Sequence, residues 1–565
     1  MQIINWTFIA LFSITAVFYL SRTFMLEGKN IKIRQSEKGS GLSRYEIIAL
    51  AAAAAIAVIL RLVMFGTIPC GVNQDEAMAG IDAYSLSRYG TDHYGTFLPA
   101  HLYAWGKGQM SSLMSYCMVS WIMVFGLETA VIRIPTLLLS IAGLGGLFFL
   151  MRKLLGRDPA LFALFFASIN PWHFMQSRWA LDCNYFPHLF IIGSCLLVYG
   201  IENRKLLYAS MIFFAGCMYS YGVAFYTVPL FLIISSVVLC IHKKARVRDI
   251  LICIAIYLAL AWPICTTMII NFLKIDTVSL PFVTMQYFDK SIRMSDLAMY
   301  KDYPIEMIII SFRSFFEVSV FQADDLPWNA INSFGSLYKM SIPLVILGFF
   351  ICLFKSIKEK DTSKKIIYIL TVVYGLCVFV TGMLIVSSNI NRINIAFYAN
   401  MIYAVTAIYF ISARIRYFRY IAFAVYTIFF GMFAFTYFTK WAEESKGFYY
   451  HDFVSALEYA DSLDCDRYYI TIYTEHNVSE VLTLYTMKID AKYYQGVTDS
   501  WDGKDIPYTE RFIYGSPEET SPVATPGVAM IVTDRQLEER YELSGWDRHD
   551  FGFYNVMTPS ASQQP

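Results

Sequence analysis

The sequence predicts a polytopic α-helical membrane protein that carries a small α/β domain at its carboxyl end. Of 565 residues, 57% are hydrophobic and only 16% are charged, far from the balance of a soluble chain. The apolar residues gather into runs long enough to approach or cross a bilayer, and the short loops between them are rich in Lys and Arg. From Lys440 to Pro565 the composition turns polar and no run is long enough to span. A formal net charge of +1, with no basic stretch interleaved with base-stacking aromatics, gives no indication of nucleic-acid binding.

The first run, Ile3 to Leu20, lacks the basic start and small-residue cleavage site of a signal peptide and reads as a retained membrane helix. Arg22 to Arg44 follows as a basic cytoplasmic loop, so residues 1–45 form an extra helix and loop ahead of a membrane domain at 46–439. Glu46 to Gly66 leads outward, and later runs between Val131 and Phe438 bring the count to about twelve spans. With that count Arg152, Arg204, Lys243, Lys355, Arg414 and their basic neighbours all fall on the cytoplasmic side. Counting Met110 to Phe125 as a further crossing would reverse every later loop, so this run is expected to lie at the outer interface. Ile305 to Phe321 has the pattern of an amphipathic helix against the membrane face.

In the polar segment 440–565, RYYITIY and GVAMIVTD read as buried strands, while HDFVSALEYADSL and SEVLTLYTMK have helical spacing. An extracytoplasmic α/β domain is the expectation, without a nucleophile elbow, phosphate loop or zinc motif. Eight of the eleven cysteines lie in apolar runs and read as small buried hydrophobes, and the pairing of Cys70, Cys183 and Cys465 is left open.

The densest ionisable group beside any apolar run lies between Gly71 and Gln109. It holds Asp75, Glu76, Asp82, His93, His101 and Lys107 among Tyr84, Tyr89, Tyr94, Tyr103 and Trp105. Charges at a bilayer boundary are costly unless paired or wetted, which makes this loop the leading site. His93, His101 and His173 read as hydrogen-bonding residues rather than metal ligands, and Arg133 as orienting the start of its helix.

Four stretches, NQDEA, WGKGQM, GLETAVIRIPTLLL and RKLLGRDPALFALFFASINPWHFMQSRWALDCN, carry a family resemblance. The chain resembles the polyprenyl-phosphate-sugar-dependent glycosyltransferases of the C-type membrane fold, which include protein O-mannosyltransferases and aminoarabinose transferases of lipid A. The resemblance is good from Glu46 to Asn203, weaker to Phe438 and absent beyond it. It implies a membrane-embedded C-type fold with interfacial helices in the first outer loop, and transfer of a sugar from an undecaprenyl-phosphate-like donor. The acceptor would be an extracytoplasmic protein, polysaccharide, teichoic-type polymer or lipid, and the setting a cell membrane with the site facing outward.

Residue by residue, the resemblance implies Asp75 as general base with Glu76 beside it, and Lys107 as a ligand of the lipid phosphate at the opening of the second interfacial helix. Here AWGKGQ replaces the proline-rich stretch found in many members. Arg178 and Asp182 correspond to the arginine and acid of the next outer loop, Arg392 more loosely to a late-helix arginine, and Tyr84 and Gln109 join the substrate-binding set. No cofactor is implied with certainty, and a divalent metal stays open.

Other readings remain. Asp75 and Glu76 also suit a helix amino terminus with no catalytic role, Lys107 also suits a snorkelling cation, and Arg178 with Asp182 also suits a simple helix pair. A lipid-linked sugar transporter or flippase, or a non-catalytic cell-envelope assembly protein, are the alternatives from other classes. A glycosidase is disfavoured, because adjacent carboxylates on a helix do not face each other across a substrate.

Overall fold

The computed structural model describes residues 1–25, 44–104, 108–289, 297–298, 301–323, 326–386, 388–471, 476–536 and 545–560. Each of the apolar runs read as a span is a helix, and nine helices among the described residues are long and apolar enough to cross a membrane. Three are shorter: Arg157–Ser168 has 12 residues, Arg204–Met218 has 15 and Ala396–Ser412 has 17. At ~1.5 Å per residue these fall short of the ~30 Å hydrocarbon thickness. The first of them stops where Asn170 caps a new helix that begins on Pro171, a residue suited to the first helical position.

The chain forms two compact units that interleave along the sequence: residues 1–64, 136–266 and 291–439 in one, and 65–135, 267–290 and 440–565 in the other. The predicted extracytoplasmic segment thus belongs to the same unit as the Gly71 to Gln109 loop.

The first unit is helical, and small residues set how closely its helices approach. Tyr185–Gly200 and Arg204–Met218 form a hairpin in which a Cβ on Gly200 would lie 2.7 Å from Leu207 backbone. In Ile342–Lys358, a Cβ on Gly348 would overlap the carbonyl of Tyr403 on Ala396–Ser412. The Ala396–Ser412 helix is buried around its circumference, as expected of an apolar helix without a polar face. Elsewhere large apolar side chains face outward, among them Ile59, Ile233 and Phe435, which suits contact with lipid. The amphipathic segment forms the helix Pro304–Ser319, and it buries Ser311, Phe315, Val318 and Ser319.

In the second unit, the Gln74–Tyr89 helix is followed by a hairpin of Leu102–Ala104 and Gly108–Met110 and then by the Leu113–Phe125 helix. With 13 residues this last helix is about 20 Å long, too short for a crossing. The carboxyl-terminal segment builds a five-stranded mixed sheet. Arg467–Ile470 runs parallel to both Val528–Thr533 and Phe512–Tyr514, and the Trp546–Phe551 and Tyr554–Pro559 hairpin adds to the outer side of Val528–Thr533. Val528–Thr533 is buried at every position, as for a central strand covered on both faces. The edge strand Trp546–Phe551 carries Asp547, Arg548, His549 and Asp550, charges that discourage edge pairing. The predicted helices are present as His451–Ser462 and His476–Thr486.

A methyl group placed on Gly348 would meet the Tyr403 backbone, so Gly348→Ala forces the two helices apart. The substitution is expected to cost about 1–3 kcal/mol, read as a lowered thermal midpoint of the detergent-solubilised protein. An unchanged midpoint would show that the helices absorb the methyl by sliding.

Candidate active site

The Gln74–Tyr89 helix begins at Asn73, whose Oδ1 accepts from the backbone N–H of Asp75 at 3.0 Å. The backbone N–H of Asn73 donates back to Glu76 Oε2 at 3.1 Å, which completes a capping box. Glu76 also forms a two-pronged ion pair with Arg133, Nε to Oε1 and Nη2 to Oε2, each at 2.8 Å, and neither side chain has exposed surface. Arg133 then donates to the carbonyls of Gly66, Pro69 and Gly71, so it ties the preceding loop to the helix start. Gly71 has φ 91°, and a Cβ there would overlap the carbonyl of Tyr449. Asp75 is half-buried on the first turn, where the helix amino terminus favours negative charge.

Asp75 and Glu76 therefore do different things. Glu76 is consumed by the cap and by Arg133, and its part is to position the first turn. Tyr84 is nine residues further along the helix, ~13 Å away and on the opposite face from Asp75. Its ring lies 4.5 Å from the Arg88 guanidinium, and Arg88 pairs with Asp490 at 2.6 Å. Tyr84 is thus not brought to Asp75. Gln109 lies on the short hairpin opposite Tyr103, half-buried. The expectation that WGKGQM opens the interfacial helix is corrected: Gly108–Met110 is a strand, and the helix starts at Leu113 after Ser112, whose Oγ donates to the carbonyl of Ala100 at 2.8 Å. Lys107 lies outside the described residues.

The same unit holds an acid–histidine cluster. His93 Nδ1 lies 2.5 Å from Asp82 Oδ1, and the same oxygen accepts the His93 backbone N–H at 3.0 Å. Asp92 accepts from the backbone N–H groups of Tyr94 and Thr96, and Gln495 Nε2 donates to the carbonyls of Asp92 and His93. Burial and the neighbouring Asp82 charge push the Asp92 carboxyl up to about 6. Burial acts to lower the His93 pKa, but the charge and hydrogen bond of Asp82 outweigh it and the net shift is upward. His101 packs edge-on against Phe288.

In the first unit, Arg178 is fully buried and spends its donors on structure. Nη1 donates to the carbonyl of Arg61 at 2.6 Å, Nη2 to those of Val63 and Met64 at 2.7 and 3.0 Å, and Nε to the Tyr437 hydroxyl at 3.1 Å. These are carbonyls at the carboxyl end of the Arg44–Leu62 helix, which a cation satisfies and stabilises. The phosphate-clamp role expected of Arg178 is corrected accordingly: its hydrogen bonds describe a helix cap. Asp182 begins a short 3-10 turn and accepts from the Cys183 backbone N–H at 2.6 Å.

Asp182 and Arg392 are drawn to one corner by side-chain amides. Asn394 Nδ2 donates to the carbonyl of Cys183 at 2.6 Å, and Asn184 Nδ2 to that of Gln176 at 3.3 Å. Gln176 Nε2 reaches Asn329 Oδ1 at 3.1 Å, and Asn329 Nδ2 reaches Asn391 Oδ1 at 2.8 Å. Arg392 is half-buried in that loop, with Nη1 on the carbonyl of Val386 at 2.6 Å. A second buried chain runs through Arg61, His173, Tyr398 and His188, each step 2.9 Å. Because arginine only donates, neutral His173 accepts at Nδ1 and donates Nε2–H to the Tyr398 hydroxyl, which also shares a hydrogen bond with His188 Nδ1. Gly143 clears the space for it, since a Cβ there would lie 2.5 Å from the Tyr398 hydroxyl. Among the described residues no group of three or more His, Cys, Asp or Glu is arranged to hold a metal ion.

The architecture is that of the C-type membrane glycosyltransferases, and the chain is a multi-pass membrane protein. Residues 111–271 match the Dolichyl-phosphate-mannose-protein mannosyltransferase family. The structure is similar to ArnT from Cupriavidus metallidurans bound to undecaprenyl phosphate, with a TM-score of 0.57 and 11% identity over 93% of this chain and 100% of that one. For apo ArnT from the same organism the TM-score is 0.54, with 12% identity over 92% and 99% of the two chains. A comparison with curated protein sequences returns no match.

Two outcomes follow from this geometry. Removing one member of the Glu76–Arg133 pair strands a buried charge, so Arg133→Met is expected to cost about 3–5 kcal/mol. The Glu76→Gln/Arg133→Met double variant should recover part of that loss, as thermal unfolding of both proteins would show. The second outcome concerns pH. Asp92 and His93 both bind protons more tightly folded than unfolded, so their contribution is complete below the unfolded values and is lost as pH rises through the folded ones. For Asp92 the loss falls between 3.8 and about 6, and for His93 it falls above 6.5. The thermal midpoint is expected to fall as pH rises above 6.5, and His93→Gln should flatten that slope.

Proposed function

We propose that this protein transfers a sugar from a polyprenyl-phosphate carrier to a hydroxyl acceptor on the extracytoplasmic side of a cell membrane, with Asp75 as general base. The observation that carries the reading is Asp75 itself, a half-buried carboxylate on a helix turn whose backbone is fixed by the Asn73 cap and the buried Glu76–Arg133 pair. A base held in this way meets the positional demand of proton abstraction without reorganising. Asp75 takes the proton of the acceptor hydroxyl while the acceptor oxygen bonds to the anomeric carbon. The carbon–oxygen bond to phosphate breaks, and its electron pair leaves with the polyprenyl phosphate.

Support for the donor comes from the ArnT structure bound to undecaprenyl phosphate, whose fold this chain shares. Arg392, in the amide-braced loop, and Lys107 supply the cations for the phosphate. An apolar cavity of about 360 Å³, lined by residues that include Phe315, Val345, Phe349, Phe379 and Tyr403, suits an isoprenoid chain. The distribution of basic loops supports a site and a 440–565 segment outside the cytoplasm.

The test is turnover of a polyprenyl-phosphate sugar by purified protein in detergent, alongside donor binding. Asp75→Asn keeps the size and polarity of the side chain but cannot accept the proton, so turnover should fall roughly 10²–10⁴-fold while the donor still binds. Near-normal turnover by this variant would remove Asp75 from the mechanism.

A further inference from the structure

The second unit contains a cavity of about 190 Å³ whose lining includes Met78, Tyr94, Asn477, Glu480, Tyr494 and Gln495. We propose that it binds a neutral saccharide residue, and that the acceptor is accordingly a glycan. The acceptor assignment rests on the glycosyl-transfer reading above, whereas the saccharide site stands on the cavity alone.

The chemistry of the walls selects the ligand class. Met78, Val481 and Leu484 are the apolar part of the lining, together with the rings of Tyr94 and Tyr494. Tyr94 is 52% exposed yet held from behind, with its ring centroid 4.1 Å from that of His93 and 5.1 Å from that of Tyr103. The polar part of the lining is the Asn477 and Gln495 carboxamides and the Glu480 carboxylate. A pyranose ring has the matching division, with carbon–hydrogen faces above and below a girdle of hydroxyls that both donate and accept. Gln495 is fixed in place by its bonds to the carbonyls of Asp92 and His93, and Glu480 by the Tyr508 hydroxyl at 3.3 Å.

Charge decides between donor and acceptor. The described lining residues include no lysine or arginine, and their one basic group, His93, feels the charges of Asp82, Asp92 and Glu480. A sugar phosphate or uronic acid placed there would meet the Glu480 carboxylate and, among the described lining residues, no arginine or lysine. The donor's phosphate end is therefore excluded, and a neutral sugar fits. Position agrees, since Met78 lies on the Gln74–Tyr89 helix one turn past Asp75, a rise of ~4.5 Å. A sugar seated against Met78 belongs to a chain that passes close to the proposed base.

The experiment is saturation-transfer NMR on the full-length protein in detergent. The probes are the methyl glycosides of glucose, galactose, mannose and N-acetylglucosamine at millimolar concentration, with glucose 1-phosphate and glucuronate as charged counterparts. At least one neutral glycoside should receive saturation and the charged sugars should not. Tyr94→Ala and Asn477→Ala should each weaken binding about tenfold, the loss of one good contact, while Arg548→Gln on the edge strand leaves it unchanged. Absence of saturation on every neutral glycoside, equal binding of the charged sugars, or full binding by both cavity variants overturns the inference. Turnover of the polyprenyl-phosphate sugar run in parallel separates the two readings. Turnover without glycoside binding removes the saccharide site and leaves glycosyl transfer standing, whereas glycoside binding without turnover keeps the site and removes the transfer reading.

Discussion

The unit that carries Asp75 depends on one buried ion pair. Glu76 and Arg133 have no exposed surface, and taking two such ions out of water costs several kcal/mol each. What offsets that cost is complete hydrogen bonding. All five N–H groups of Arg133 have acceptors: two Glu76 oxygens and the carbonyls of Gly66, Pro69 and Gly71. Glu76 in turn takes the Asn73 backbone N–H. A lysine at 133 would be a point charge with three donors and would leave carbonyls unmet, so the site requires the planar fork of arginine. The consequence reaches position 75, because the residue before Glu76 inherits a backbone fixed from both sides.

The helical unit meets the same problem at Arg178 with carbonyls and aromatic rings. Arg178 is buried where carbonyls at the end of the Arg44–Leu62 helix would otherwise lack partners, and four of its donors meet three carbonyls and the Tyr437 hydroxyl. Rings of Phe174, Tyr437 and Phe438 lie within 5.5 Å of its guanidinium, which lets a weakly hydrated cation sit among apolar side chains. The amides of Gln176, Asn184, Asn329, Asn391 and Asn394 serve a related end. They join loops from distant parts of the sequence, and in a low-dielectric interior a satisfied amide network admits one arrangement. Arg392 is thereby held in a defined loop instead of on a free turn.

The architecture was legible because each membrane-length helix announces itself by hydrophobicity and the short loops between them by their charge. Where the reading fell short, the cause was length or context. The run at Pro159 to Trp172 looked like one helix, yet Asn170 and Pro171 form a cap-and-start pair that divides it. The first loop was singled out for its density of charge, and Asp75 stands there on the first turn of a helix, the position that also suited the reading without a catalytic role. The partners were not legible. Nothing local links Arg133 to Glu76 or His93 to Asp82, since these contacts are set by how the chain returns on itself. Arg178 was misread for the same reason, because an arginine near an outer loop looks the same in sequence whether it faces a phosphate or a helix end. The one available hint was the spacing of Asn389, Asn391 and Asn394 in SSNINRIN, too many amides for a simple turn.

Charge in the unit that carries Asp75 is arranged in a way that bears on chemistry. In the unit with Asp75, the acids Asp82, Asp92 and Glu480 gather near one cavity, while Arg133, Arg88 and Lys488 are each spent on a carboxylate. Such surroundings suit a group that receives a proton and a ligand that carries no charge. They do not suit a phosphate, whose oxygens need uncommitted cations. On the glycosyl-transfer reading the phosphate is assigned to cations of the sequence, Lys107 and Arg392, and not to these acids. Carboxylate and phosphate chemistry need opposite fields, and supplying them from separate stretches of chain lets each be tuned without neutralising the other.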